Sequence, residues 1–346
     1  RAFELQPASA DVAHRRGKAL RQLAAEELAL GTPGASERMQ QALAAFDRAI
    51  VIQPDHAEAL SDRASLHADL GQRDKAVEDL TKALSVEPDD RDRQYRLAVL
   101  HLQQATADSS REFDDEAKQI EELRTAGRLL TAALQHETEP DDEEELQQHQ
   151  IQLARAVALV ELAAVTPDSE LRNEQYQAAL IDCTEVTTAK PELPAAHFQR
   201  GIVLRLMNDF RPAIDAFSRT LRLSPENTEA HIRRGICWFH LGEFELALSD
   251  FHAVGVLPGD ARPYFWTGVI HARRGDHLEA IRAYSEAIDE NSRYRLAYHN
   301  RALSLMHLGH WQRAIDDCNA MIQLDPDDAD ADVTTLSGGE KRRVAL

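Results

Sequence analysis

The chain has 346 residues, 43% of them hydrophobic and 28% charged, enough to fold around a core; length alone suggests roughly two domains. Lys and Arg number 39 against 59 Asp and Glu, a formal charge of −20 that argues against a general nucleic-acid or anionic-membrane binder. With 15 Gly and 13 Pro it is neither collagen-like nor low-complexity, and its three cysteines make neither a disulfide framework nor a four-cysteine zinc site.

The chain opens on Arg1, and no basic–apolar–small signal sequence follows, which says nothing of any residues before it. Ala2, Leu5 and Pro7 repeat the spacing of Ala83, Val86 and Pro88, so residues 1–9 read as the tail of a truncated unit, leaving the next helix with an unpartnered apolar face. Residues 10–56 form the first full unit, with roughly 13 residues inserted around Gly31-Thr32-Pro33-Gly34, and end on Ala42, Phe46, Ala49, Ile52 and Pro54. Steps of four, three and three residues trace one face of an α-helix, and the proline stops it. Residues 57–90 repeat the pattern without insertion: Ala76, Leu80, Ala83, Val86, Pro88.

Residues 91–140 form a third unit with an acidic insert of about 16 residues. Between 111 and 150 lie 13 acidic against 4 basic residues, densest at Asp141-Asp142-Glu143-Glu144-Glu145 after Pro140. Carboxylates there suit a helix start, so a solvated helix end is the plain reading and a dock for a basic partner the other. The apolar stretch 153–165 carries Arg155 and Glu161 and falls short of the ~18 apolar residues that span a bilayer. Residues 141–193 are an irregular unit whose second helix carries Ala179, Cys183, Val186 and Pro191.

Four regular units fill 194–328. Their second helices include Ala213, Phe217, Thr220, Leu223, Pro225 and Ala314, Cys318, Met321, Leu324, Pro326. Their first helices carry a small residue at a fixed place, Gly201, Gly235, Gly268 and Ala302, where the paired helix must come close. Turns follow at Asn208-Asp209, Gly242, Gly275 and Gly309. Unit starts at 57, 91, 194, 228, 261 and 295 give steps of 34, 34, 33 and 34 wherever units abut. This resembles the tetratricopeptide repeat, a helix–turn–helix hairpin of 34 residues. The resemblance implies an all-α, right-handed superhelical solenoid of antiparallel hairpins, whose first helices line an inner groove that holds peptides. The lysine/asparagine clamp of chaperone-binding members is not matched, since Ser61, Asp62 and Ser65 stand near its place.

Counting off core positions in the first helices leaves a candidate groove of Phe198, Ile202 and Arg205; Ile232, Arg233 and Phe239; Phe265, Val269 and Arg273; and His299, Asn300, Leu303 and Met306. Apolar anchors alternating with arginine and histidine point to an extended protein or peptide partner with apolar and acidic side chains; the competing reading is packing between neighbouring helices. Cys183, Cys237 and Cys318 read as small buried hydrophobes. His67, His101, His197, His231 and His271 fall at packing positions. His299 and His307 share a helix face but lack a third ligand of suitable spacing, so no metal is expected. No catalytic or nucleotide-binding motif of the common enzyme classes appears within the repeats, and no cofactor is implied.

The repeat pattern stops after Pro326. Residues 330–346 resemble the signature segment of ABC-F ATPases, with Leu336, Ser337, Gly338, Gly339 and Glu340 as the motif. Ser337 and Glu340 make a capping box, and the glycines would admit a phosphate to a helix start. The phosphate loop and catalytic glutamate of that family are missing, so the resemblance implies a junction or remnant that would contact ATP only in trans. The expectation is a non-catalytic interaction scaffold; the rival readings are that remnant and a self-assembling module stacked through its exposed terminal repeat.

Overall fold

The computed structural model describes residues 9–106, 114–135, 142–255 and 258–324. Among them are sixteen α-helices and no strand. They divide into two compact units, 1–186 and 187–346.

The first unit holds α1 (Ala10–Ala29), α2 (Ala35–Ile52), α3 (Ala57–Asp69), α4 (Arg73–Val86), α5 (Arg91–Thr106), α6 (Asp114–Leu134), α7 (Asp142–Val165) and most of α8 (Ser169–Ala189). The second holds α9 (Pro194–Leu206), α10 (Phe210–Leu223), α11 (Thr228–His240), α12 (Phe244–Ala253), α13 (Arg262–Arg274), α14 (His277–Glu290), α15 (Arg295–His307) and α16 (Trp311–Leu324). Odd- and even-numbered helices pair as hairpins. Within each unit successive hairpins stack, and the first helices also touch in series, α9 on α11, α11 on α13 and α13 on α15.

Local chemistry explains the ends. Ser9 caps α1 by accepting from the Val12 amide, and Asn227 caps α11 by accepting from Ala230. Tight turns between paired helices need a left-handed residue: Gly242, Gly275 and Gly309 have φ of 78°, 83° and 75°, and Asn208 supplies the same conformation at 64°.

Three hairpins of the second unit close on the glycine expected of them, and the first hairpin closes on Gly17. A Cβ on Gly201, Gly235 or Gly268 would lie 2.6 Å from the rings of Phe217, Phe251 and Tyr284, and one on Gly17 only 2.4 Å from Phe46. These rings are at most 2% exposed. Where the small residue is Ala64, the side chain in the ring's register is Leu80, so volume is conserved across the pair. Cys183 and Cys237 are buried, as their positions predict. Cys318 departs from expectation and is exposed, because no further described helix covers the outer face of α16.

The inserted residues also depart from expectation. Rather than a long loop in the first unit, α1 and α2 run to 20 and 18 residues and a short turn at 30–34 joins them. Part of the acidic insert likewise builds helix, at 114–134, whereas α7 begins at Asp142, where the carboxylates after Pro140 suit a helix start. Elongation keeps backbone groups hydrogen-bonded within the helix, which a long loop cannot do. Residues 1–8 lie outside the described ones.

Candidate functional site

The first helices of the second unit present the side chains singled out as a groove, and the structure sorts them. Phe198 and Ile202 are half-buried, as are Arg205, Arg233, Val269, His299 and Asn300. Arg273 is exposed, and Leu303 and Met306 are 44% and 43% exposed. Ile232, Phe265 and Phe239 are 1%, 4% and 7% exposed, so these three are core rather than free anchors. For Phe239 and Phe265 the cover comes from both their own hairpin and the next one. Phe239 packs with Phe251 and Ile270 and lies 5.3 Å from the Trp266 ring; Phe265 packs with Tyr284 and lies 5.2 Å from Tyr294. Counting faces on a single helix leaves out both covers.

Several of the groove residues do come together. The Arg233 guanidinium stands over Phe198 at 5.9 Å and that of Arg273 over Phe239 at 5.6 Å. In both cases a cation from one hairpin covers a ring of the hairpin before it, a contact worth roughly 0.5–1 kcal/mol when exposed. Glu229 holds Arg233 from one turn away, at 2.7 Å, and also binds Arg262 at 2.8 Å. Asn300 spends its amide on the Leu296 carbonyl of its own helix.

The electrostatics agree with this clustering. Burial pushes the Cys237 thiol up to about 12, against Arg205 and Arg233, which pull it down, so this thiol is unreactive. His240, in the last turn of α11, is held below the ordinary histidine range by burial and by Arg205 and Arg273. Arg205 acts on both groups, Arg233 on the thiol and Arg273 on the imidazole.

Two features were not anticipated. The first is a recurrent arginine clamp. Arg63 binds Asp79 through two nitrogens at 2.8 and 2.6 Å, Arg155 binds Asp182 at 2.8 and 2.5 Å, Arg234 binds Asp250 at 2.9 and 2.7 Å, and Arg301 binds Asp317 at 2.9 and 2.6 Å. The aspartates are 0–5% exposed. Three of these arginines, Arg63, Arg234 and Arg301, reach back to the preceding hairpin, at Asp47, Ser218 and Ser285. His231 also binds Asp250, at 2.9 Å, so this histidine serves the clamp. The signal was present in the sequence: 63/79, 234/250 and 301/317 are all sixteen residues apart. The second is a cleft of about 560 Å³ in the first unit, walled by Arg21, Tyr95, Arg96 and Gln103 and floored by Ala64, Ser65 and Ala68 of α3. Arg21 pairs with Asp69 at 3.0 Å, and Arg96 pairs with Asp92 and reaches Ser65 at 2.8 Å.

Among the described residues no group of three or more His, Cys, Asp or Glu could hold a metal ion, and no helix is long and apolar enough to cross a membrane. His307 stacks on His277, 4.4 Å between centroids. The ABC-like segment with Leu336, Ser337, Gly338, Gly339 and Glu340 lies outside the described residues.

Comparison with known proteins agrees with the geometry. Two family models described as tetratricopeptide repeat match residues 35–101 and, in overlapping segments, 198–254, 252–294 and 267–329, together more than half of the chain. The chain belongs to the tetratricopeptide-repeat family. The TPR repeat-containing thioredoxin TTL4 of Arabidopsis thaliana is 24% identical over 308 residues, which is 83% of this chain and 42% of the relative. Stress-induced-phosphoprotein 1 of Caenorhabditis elegans is 42% identical over 53 residues, covering 15% of this chain and 17% of its own. The chain thus spans well under half the length of these relatives. A tetratricopeptide repeat protein from Parabacteroides merdae, 14% identical, superposes over 84% of this chain and 99% of its own with a TM-score of 0.53, which establishes a shared fold. The comparisons give no support to the ABC-F resemblance of 330–346.

Proposed function

We propose that this protein is a non-catalytic interaction scaffold that holds an extended peptide or helix along the first helices of its second unit. The carrying observation is the pairing of cation and ring across successive hairpins, Arg233 over Phe198 and Arg273 over Phe239, on a face that also exposes Leu303 and Met306. Exposed apolar side chains anchor apolar residues of the ligand, and arginines in an otherwise acidic chain select acidic ones. Family membership supports protein binding in general, and the chemistry of this face narrows it to apolar–acidic partners.

The test is a peptide array probed with the intact chain and with Arg273→Ala and Met306→Ala, both at exposed positions. Peptides mixing acidic and apolar residues should bind the parent and lose about tenfold in affinity with Arg273→Ala, the scale of one charged contact. Capture that is unchanged in both variants, or the absence of capture, would overturn this reading.

A further inference from the structure

The first hairpin keeps half of the arginine clamp. Gly17 and Phe46 hold its packing positions, a Cβ on the glycine lying 2.4 Å from the ring. One residue earlier on each helix, Arg16 stands in the register of Arg63, Arg234 and Arg301, and Ala45 in that of Asp79, Asp250 and Asp317. The cation is retained and its carboxylate is replaced by a methyl group. Arg16 and Ala45 line one cavity of about 400 Å³, which Val12, Ala13, Ala44 and Arg48 also face. Neither Arg16 nor Arg48 makes a hydrogen bond or ion pair among the described residues. Elsewhere the clamp arginine also bonds to the residue after the ring on the preceding second helix: Arg63 to Asp47 at 2.6 Å, Arg234 to Ser218 at 3.0 Å and Arg301 to Ser285 at 2.9 Å. Arg200, which faces Ala216 sixteen residues on in place of an aspartate, is engaged too. This side of α1 is shaped to receive such a helix. Val12 is 58% exposed, whereas its counterpart Ala297, five residues before Ala302, is fully buried against Tyr284 and Ile288 of the helix before it.

We propose that this cavity is a socket for an acidic helix of a partner protein, whose Asp or Glu replaces the missing clamp carboxylate between Arg16 and Arg48. The inference does not depend on the groove of the second unit. Arg234 and Arg301 already hold a buried aspartate, so a neutral hydroxyl suffices as their second partner. Arg16 holds none and shares its cavity with a second cation, so the incoming group must carry charge. A carboxylate accepts from a guanidinium through two parallel bonds, which fixes the helix in register as well as in place. The alanines of the cavity leave room for that side chain, and Val12 supplies the apolar contact beside it. A second copy of this chain fits less well. Its uncovered helix α16 has Asn319 in the acceptor position, after Cys318, and an amide brings no charge.

The probe is a fluorescein-labelled peptide with the sequence of α2, residues 35–52, because that helix is seen seated on α3 with Asp47 at Arg63. A hydrocarbon staple on the face away from Phe46 and Asp47 holds it helical, since a free peptide of this length is marginal. Anisotropy measures its binding to the full chain. The parent should bind it saturably, and Asp47→Asn in the peptide should weaken binding about tenfold, the scale of one charged contact. Arg16→Ala in the chain, at an exposed position, should cost a similar factor. The two changes together should cost no more than either alone, because they remove the same contact. Arg15→Ala, an exposed cation outside the cavity, should change nothing. Absence of saturable binding, additive losses, or an equal loss with Arg15→Ala would overturn the proposal. Sedimentation of the chain alone covers the other occupant: a mass that rises with concentration in the parent and not in Arg16→Ala would overturn it in favour of a second copy.

Discussion

The second hairpin, α3–α4, and its counterpart in the second unit, α11–α12, share one plan and fill it differently. Both set a small residue of the first helix against a larger one sixteen positions on, Ala64 with Leu80 and Gly235 with Phe251. Both clamp an arginine on a buried aspartate, Arg63 on Asp79 and Arg234 on Asp250. Their inner faces differ. α3 presents Ser65 and Ala68 and leaves a cleft, whereas α11 presents Arg233, Phe239 and His240 and fills the space with rings and cations. The lesson is that the positions between helices are constrained in volume and charge, while the face made by the first helices is free to vary and so can carry specificity.

The clamps offer the sharpest break of this comparison. Asp250→Ala strands Arg234 with Ser218 as its remaining clamp partner and should cost about 3 kcal/mol in urea denaturation. Asp79→Ala leaves Arg63 its second carboxylate, Asp47 at 2.6 Å, and should cost about 1 kcal/mol less. Equal losses would mean that the backward contact contributes nothing. The packing pair comes next. Gly235→Ala drives a methyl into the Phe251 ring and should cost about 2 kcal/mol; adding Phe251→Leu, which copies the Ala64–Leu80 arrangement, should recover most of it. The reciprocal change, Ala64→Gly, meets no clash and should cost about 1 kcal/mol through helix propensity and lost contact.

The smallest expected effect is acid sensitivity at His240. Its folded-state proton affinity is depressed, so the unfolded chain takes the proton first. The stability His240 contributes is complete above the ordinary histidine value and is lost as pH falls through it toward the lower folded value. His240→Gln should flatten that part of a melting-temperature profile, and an unchanged profile would show that the imidazole is not held neutral.

Much of this plan was legible in the chain. The glycines that admit Phe217, Phe251 and Tyr284, and the turn residues at 208, 242, 275 and 309, follow from helix period and backbone sterics, which are local. What escaped was non-local. Ile232, Phe239 and Phe265 look like groove residues when one helix face is counted, yet they are buried; Phe239 and Phe265 are packed both by the second helix of their own hairpin and by residues of the next hairpin. The clamps need two helices to be seen at once, although their sixteen-residue spacing was there to be read. The insertions at 10–56 and 91–140 looked like loops because their length, and not their capacity for helix, was counted. The cleft of the first unit had no signal in any single residue, since small side chains mark a cavity only once larger neighbours frame it.

The sixteen-residue clamp also sets where the chain can be edited. Its bidentate half lies wholly within one hairpin, and only a single bond, such as that of Arg234 to Ser218, crosses to the hairpin before. Excision or duplication of a block of about 34 residues therefore carries the strong pairing along as a cassette and remakes the weak one at the new seam. A cut between Arg234 and Asp250 would separate a buried carboxylate from its guanidinium. The array is perforated between hairpins and not within them, so it can lengthen or shorten by whole hairpins and scarcely at all by fractions of one.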